Sequence, residues 1–501
     1  MSALLGEKAR TVRRPTKVPR GSLSLGWMAS AVVACALVLL ACPLQGQQTA
    51  PQPPATEQQQ QPGQGAQVHT GTSSGLDADA RLQNLLADHQ FLVLKTQLDK
   101  MQPEQAQFYR GILANRDNDL KASIDLLEPL ADKVAASGNT GQEKLLRKAL
   151  AEDYLRLGDW TKAAKAFETL DTRLQGKLSR DEQDEIELPL KLLPLAQANA
   201  PMTVEPCDPF KLQVSRNPLG LTDIPVYVDA RPHAWMLDPT APFNLISRSE
   251  AKEAGLKVSE EAATIHSLTG RPMQVHTTVI PRFTVGGRLT LRNMTVFVFE
   301  DEDYYYPKTK YQVEGVLGYP SLSAMGSLTI TSNATVEVRP VKQILPAEKD
   351  DLLTDGARFF LDGDQVIVAL SKGLRPGDTL SPAEPNPGDE RMFVVDAAGQ
   401  QTYFTARYYE EHSAEFADQK MELFTIPGDR SLSPQPAYIA ETTPLTVVNT
   451  TVNVHYIQVL TQPLGNAALD DVYGLLGVDV LDQLKAYTFD YRTMRFGVRP
   501  E

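Results

Sequence analysis

The sequence predicts a multi-domain protein in which an all-α, repeat-like domain of helix-turn-helix pairs precedes an all-β region built as two matching lobes. Three observations predict it. Apolar residues recur at helical spacing between Asp77 and about Ala200, and from Phe210 they gather into short strand-like runs bounded by turn residues. After Pro206 one order of elements occurs twice: an apolar run ending in an acid, then, much later, an apolar-apolar-glycine element. A basic-then-apolar leader and a Gln/Pro tract stand ahead of both regions.

The bulk composition is that of a globular chain. With 501 residues, a hydrophobic fraction of 42%, 35 Pro and 32 Gly, collagen-like and wholly disordered classes are excluded. Lys+Arg number 49 against Asp+Glu 62, a net charge of −13 that argues against nucleic acid as a partner. Three cysteines, Cys35, Cys42 and Cys207, are too few for a disulfide framework, so stability must come from packing.

Residues 1–42 read as an export signal. Lys8, Arg10, Arg13, Arg14, Lys17 and Arg20 face only Glu7, and the apolar run Trp27 to Ala41 is shorter than the roughly 20 residues that span a bilayer comfortably. Leu39-Leu40-Ala41-Cys42 resembles a bacterial lipobox, which implies lipid on Cys42. The expected location is periplasmic or membrane-anchored, through that lipid or through an uncleaved N-terminal helix, or else secreted with the signal discarded. Residues 43–77 are Gln, Pro, Gly, Ser and Thr with almost no large apolar side chain, so they cannot offset the entropy of ordering and read as a tether.

Residues 78–200 form the helical domain. Ala151 to Trp160, with Leu157-Gly158-Asp159 at the turn and Ala163 and Phe167 beyond it, resembles a tetratricopeptide repeat. Gly111, Ala114, Ser123 and Leu127 resemble a weaker earlier copy, although the interval to Ala151 exceeds the usual length of about 34 residues. Such a domain presents a concave surface to a peptide or protein, or merely spaces the next domain from the membrane.

The lobes are placed at 206–342 and 343–501. In the first, Ile224 to Val228 and Ala234 to Leu237 read as a hairpin that ends at Asp238, and Gly315-Val316-Leu317-Gly318 follows about 75 residues later. In the second, Met392 to Val395 ends at Asp396, and Gly474-Leu475-Leu476-Gly477 follows. Strand, Asp, small residues and an apolar-apolar-Gly element, present twice, resemble the retropepsin-like and pepsin-like aspartic proteases. The resemblance implies that Asp238 and Asp396 meet at a pseudo-twofold axis and share one proton, one activating water and the other protonating the carbonyl of a peptide or protein substrate. It also implies that Thr240, Ala398, Gly315, Gly318, Gly474 and Gly477 support the two loops.

The loops depart from the family pattern. Pro239 and Ala397 stand where a hydroxyl residue is expected, and Thr240 and Ala398 stand where Gly is expected. Two readings follow: a working dyad, or a protease fold that has kept its acids as loop supports and only binds peptide or protein partners in the cell envelope. Ile265-His266-Ser267-Leu268-Thr269-Gly270 falls where the family carries its flap, which makes His266, Ser267 and Gly270 flap candidates; no counterpart is recognisable in the second lobe. Glu300 to Asp303 with Tyr304, Tyr305 and Tyr306 reads as a cleft rim or a solvated loop. Seven histidines show no His-x-x-x-His spacing and no Cys-x-x-Cys exists, so neither a metal site nor a cofactor is expected.

Overall fold

The computed structural model describes residues 73–197, 199–266, 272–341, 356–363, 365–371, 390–426, 434–448, 450–464 and 467–498. The leader, Cys42 and most of the tether, together with Ser267 and Gly270 of the flap candidate, lie outside the described residues. The chain divides into one unit, Met1–Val68, and a second, His69–Glu501, to which everything below refers. Among the described residues no helix is long and apolar enough to cross a membrane.

The helical domain begins with Ser73–Ala87 and Phe91–Leu98 and ends with Arg180–Gln197. Between them lie two helix pairs, Pro103–Arg116 with Leu120–Leu127 and Thr140–Leu157 with Trp160–Leu174. Their turns follow from local chemistry. Asp119 and Asp159 each cap the second helix of a pair, accepting the N–H of Ala122 at 3.2 Å and of Lys162 at 3.1 Å. The residue before each cap has positive φ, +58° at Asn118 and +71° at Gly158, so the chain reverses where Asn and Gly tolerate it. Small residues let the helices close: a Cβ on Gly111 would meet Leu127 at 2.5 Å, and Ala151 and Ala163 are fully buried.

The two β lobes repeat one set of pairings. In the first, Gly315–Leu317 lies parallel to Arg231–Leu237 (Leu317 opposite Leu237) and antiparallel to Leu245–Ser247, which in turn runs parallel to Leu289–Phe299. In the second, Gly474–Leu476 lies parallel to Glu390–Val395 (Leu476 opposite Val395) and antiparallel to Tyr403–Phe404, which runs parallel to Thr450–Leu460. A long hairpin flanks each set, Pro272–Val285 with Leu289–Phe299 and Gln435–Val447 with Thr450–Leu460.

A shared sheet joins the lobes. Ser327–Thr331 pairs with Thr335–Arg339 on one side and with Ala486–Asp490 on the other, and Ala486–Asp490 pairs onward with Arg495–Val498. Phe210–Gln213 flanks one end and Ala357–Asp362 the other. Thr329 sits opposite Thr488, their hydroxyls 2.8 Å apart. The offset 488 − 329 = 159 equals 474 − 315, so this hydrogen bond joins equivalent residues and marks the pseudo-twofold axis.

The helices dock on the outer face of the second lobe. Phe91 packs on Phe360 with ring centroids 4.9 Å apart, inside a core shared with Ile367, Met392 and Leu475. Charge pins the edge of this contact: Asp362 pairs with His89 at 2.9 Å and Arg116 at 3.0 Å, and Arg358 pairs with Asp117 at 2.6 Å. Burial pushes the Asp362 carboxyl up, but Arg116, His89 and Lys148 more than offset it and hold it well below the usual carboxylate range. A depressed carboxyl stabilises the fold above its unfolded pKa and ceases to do so as pH falls, so Asp362→Asn costs on the order of 2 kcal/mol at pH 7 and less at pH 3. Urea titrations of both proteins at the two pH values check this; an equal loss at both would contradict it.

Candidate active site

Asp238 and Asp396 are delivered by identical local constructions. Each ends an apolar strand whose neighbour is the glycine element, and each donates its N–H to that element: Asp238 to the Leu317 carbonyl at 3.1 Å, Asp396 to the Leu476 carbonyl at 2.9 Å. Three residues on, the loop turns back, so that Tyr319 N–H reaches Ala241 O and Val478 N–H reaches Gly399 O, both at 2.8 Å. Six residues after each acid a side chain clamps the second glycine of the element: Gly318 N–H donates to Asn244 Oδ1 at 3.1 Å, and Gly477 N–H to Thr402 Oγ1 at 2.9 Å.

These contacts explain the glycines. A Cβ on Gly318 would collide with the Phe243 and Ala241 carbonyls, one on Gly477 with the Gln401 backbone, one on Gly474 with Tyr403 O, and one on Gly315 with the Trp235 indole. A Cβ on Gly399, three residues after the second acid, would run into the Asp396 carboxylate as it stands, while the equivalent residue of the first lobe is Ala241.

The carboxylates are held unequally. Asp238 Oδ1 accepts three hydrogen bonds, from Thr240 N–H at 2.9 Å, Thr240 Oγ1 at 2.6 Å and Ala241 N–H at 3.2 Å. Asp396 Oδ1 accepts the Ala398 N–H at 3.0 Å and receives no hydroxyl, since Ala397 and Ala398 have none. Burial raises the Asp238 carboxyl, and the Thr240 and Ala241 donors offset that rise only in part. Asp396 is pushed up to about 7, first by burial and then by the charge of Asp238, against which the Ala398 and Gly399 N–H groups act weakly. The donors on Asp238 favour its ionised form and the Asp238 charge favours the protonated form of Asp396, so the two carboxyls titrate as one coupled pair.

Both acids line one cavity of about 1220 Å³. Phe243, Ile265, His266, Tyr304 and Tyr306 line it from the first lobe, Gln400, Gln401 and Tyr403 from the second. The helical domain supplies a further wall through Arg180–Gln197: Leu188, 6% exposed, packs with Met236, Ala241, Ile265, Met273 and Phe297, with Ala398 alongside. His266 ends the strand Ala263–His266, 3.7 Å from Asp184 of the same helix. The acidic, aromatic run forms a turn, Asp301–Tyr304, that turns Asp303, Tyr304 and Tyr306 to the cavity and leaves Tyr305 at the surface. A counterpart of the flap strand is present in the second lobe as Glu422–Phe424 against Gln435–Val447; its 427–433 turn lies outside the described residues.

Residues 224–321 match the family model described as aspartyl protease, a stretch that holds Asp238, Thr240, Gly315 and Gly318. No curated protein matches the chain. Among solved structures, a retropepsin-like aspartic protease from Rickettsia conorii aligns at 15% identity over 27% of this chain and 95% of that one, with a TM-score of 0.19. Conglutin gamma from lupine seeds aligns at 10% identity over 59% and 96%, with a TM-score of 0.35, and basic 7S globulin from soybean at 11% over 58% and 96%, with a TM-score of 0.33. The β region is aspartic-protease-like. Its second lobe lies beyond the family match, and its kinship to the first rests on the paired strands and clamps described above.

An acid whose folded pKa is raised binds its proton more tightly folded than unfolded. The stability it gives is present below the unfolded value near 4 and is lost as pH rises toward about 7. Asp396→Asn removes that loss, so its melting temperature relative to the parent rises by at least about 2 °C between pH 4 and pH 8. Calorimetry across that range checks the direction; a gap independent of pH would mean that the carboxyl is not perturbed.

Proposed function

We propose that the protein is an aspartic endopeptidase in which Asp238 is the general base and Asp396 the general acid. The observation that carries this reading is the inequality of the pair: one carboxylate with three donors, beside one acid that holds its proton to about pH 7 in the same cavity. Asp238 takes a proton from water as its oxygen attacks the scissile carbonyl carbon, and Asp396 gives its proton to the carbonyl oxygen. Collapse of the tetrahedral intermediate breaks the C–N bond, the proton on Asp238 passes to the leaving nitrogen, and Asp396 regains its own from the intermediate's hydroxyl. Phe243, Tyr304, Tyr306 and Met236 favour a substrate with a large apolar side chain next to the cleaved bond. The paired helices, read as two diverged tetratricopeptide-like repeats, extend the peptide-binding surface. The leader and Cys42 favour an exported, lipid-anchored form.

A second reading, a non-cleaving module that binds peptide or protein, is favoured by Leu188, a side chain of the chain itself set in the apolar wall beside the acids. Cleavage of a diverse peptide library from pH 3 to pH 8 separates the two. An active dyad gives cleavage that fades as pH rises through about 7 and falls at least about 100-fold in Asp238→Asn and in Asp396→Asn. Leu188→Ala, which opens the wall, then raises kcat/KM for bulky substrates. Peptides retained without cleavage at every pH, by parent and variants alike, would leave the binding module.

A further inference from the structure

The first lobe carries a second polar cluster, away from the dyad. His233 lies on the strand Arg231–Leu237, five residues before Asp238; Glu250 lies on the helix Arg248–Glu253; Glu314 immediately precedes the glycine element. One donor atom from each falls within 4.8 Å of the others. Glu250 and His233 are largely buried, their side chains 8% and 11% exposed, while Glu314 is 47% exposed.

Burying a carboxylate is costly unless something partners it. Glu250 Oε1 and His233 Nε2 lie 3.0 Å apart, yet both are buried atoms without a hydrogen-bond partner, so neither donates to the other in usable alignment. Two unsatisfied donor atoms side by side suit a common third body. Ligands at 2.0–2.1 Å from a tetrahedral zinc ion stand about 3.3 Å apart, close to the observed separation. Glu314 approaches the ring from the other nitrogen, its Oε2 3.4 Å from Nδ1, but one of its oxygens is within 4.8 Å of the donor atoms of the other two, and as a half-exposed side chain it can turn to serve as a third donor. The neighbouring charges offset each other: Glu253 adds a negative charge, and Arg231, which bonds the Glu253 carbonyl, a positive one.

We infer that His233, Glu250 and Glu314 bind a divalent first-row metal cation, with zinc(II) the best match to one imidazole and two carboxylates, and a water completing the coordination. The ion ties together the strand that leads to Asp238, the short helix Arg248–Glu253 and the entry to Gly315.

Calorimetric titration of the full chain with zinc(II), and cobalt(II) titration followed by visible absorption, test the site. One saturable site is expected, with a cobalt spectrum of nitrogen and oxygen ligands free of thiolate bands. His233→Ala and Glu250→Gln weaken binding at least about 100-fold. Glu314→Gln changes a half-exposed residue, so the fold is kept while affinity falls about 10-fold or more. Absence of saturable binding, a thiolate spectrum implicating Cys35, Cys42 or Cys207, or binding that Glu314→Gln and His233→Ala both leave unchanged would overturn the assignment.

Discussion

Two carboxyl groups placed in one buried cavity repel each other and resent their desolvation, and the β region is organised around holding them there. Neither acid is held by its own loop alone. Each is anchored by one backbone bond to the glycine element and by turns that the element itself closes, from Tyr319 in one lobe and Val478 in the other. The glycine elements therefore cannot acquire side chains: neighbouring backbone takes the space a Cβ would fill at Gly318, Gly474 and Gly477, and the Trp235 indole takes it at Gly315. The relation between the two loops is set lower down, where Ser327–Thr331 meets Ala486–Asp490 and the Thr329 and Thr488 hydroxyls join across the axis.

The duplicated order of elements was legible in the sequence because an acid after an apolar strand, followed by apolar-apolar-Gly, is a one-dimensional pattern. The clamps were not. Asn244 and Thr402 do the same task at the same offset, but an amide and a hydroxyl share no letter, and only their common acceptor role reveals the match. Thr329 and Thr488 are hidden for the opposite reason, threonine being ordinary in strands. The close approach of Gly399 to the Asp396 carboxylate was not legible, because it depends on loop geometry that residue order does not carry. Helical spacing showed that residues 78–200 bury an apolar face, but not that Phe91 would bury against Phe360 or that Leu188 would reach the cavity. The trio of His233, Glu250 and Glu314 has no ligand spacing at all; strand pairing alone assembles it.

The departures at Pro239 and Ala397 take on a physical meaning once the donors are counted. In the first lobe Pro239 offers no hydroxyl, but one position later Thr240 Oγ1 donates to the acid of its own loop, Asp238, at 2.6 Å. In the second lobe neither Ala397 nor Ala398 has a hydroxyl, so Asp396 is left with backbone donors and burial dominates. A symmetric pair must break its symmetry when substrate or water arrives; here the sequence has broken it in advance, by giving one acid a donor that the other lacks. The same change has a cost. A proton fixed on one member stabilises the resting pair, and a general acid that holds its proton to about pH 7 transfers it less readily than one of lower pKa. Under the proposed mechanism, a loop that offers Asp396 no hydroxyl thus exchanges driving force for a wider range of pH over which that acid stays protonated.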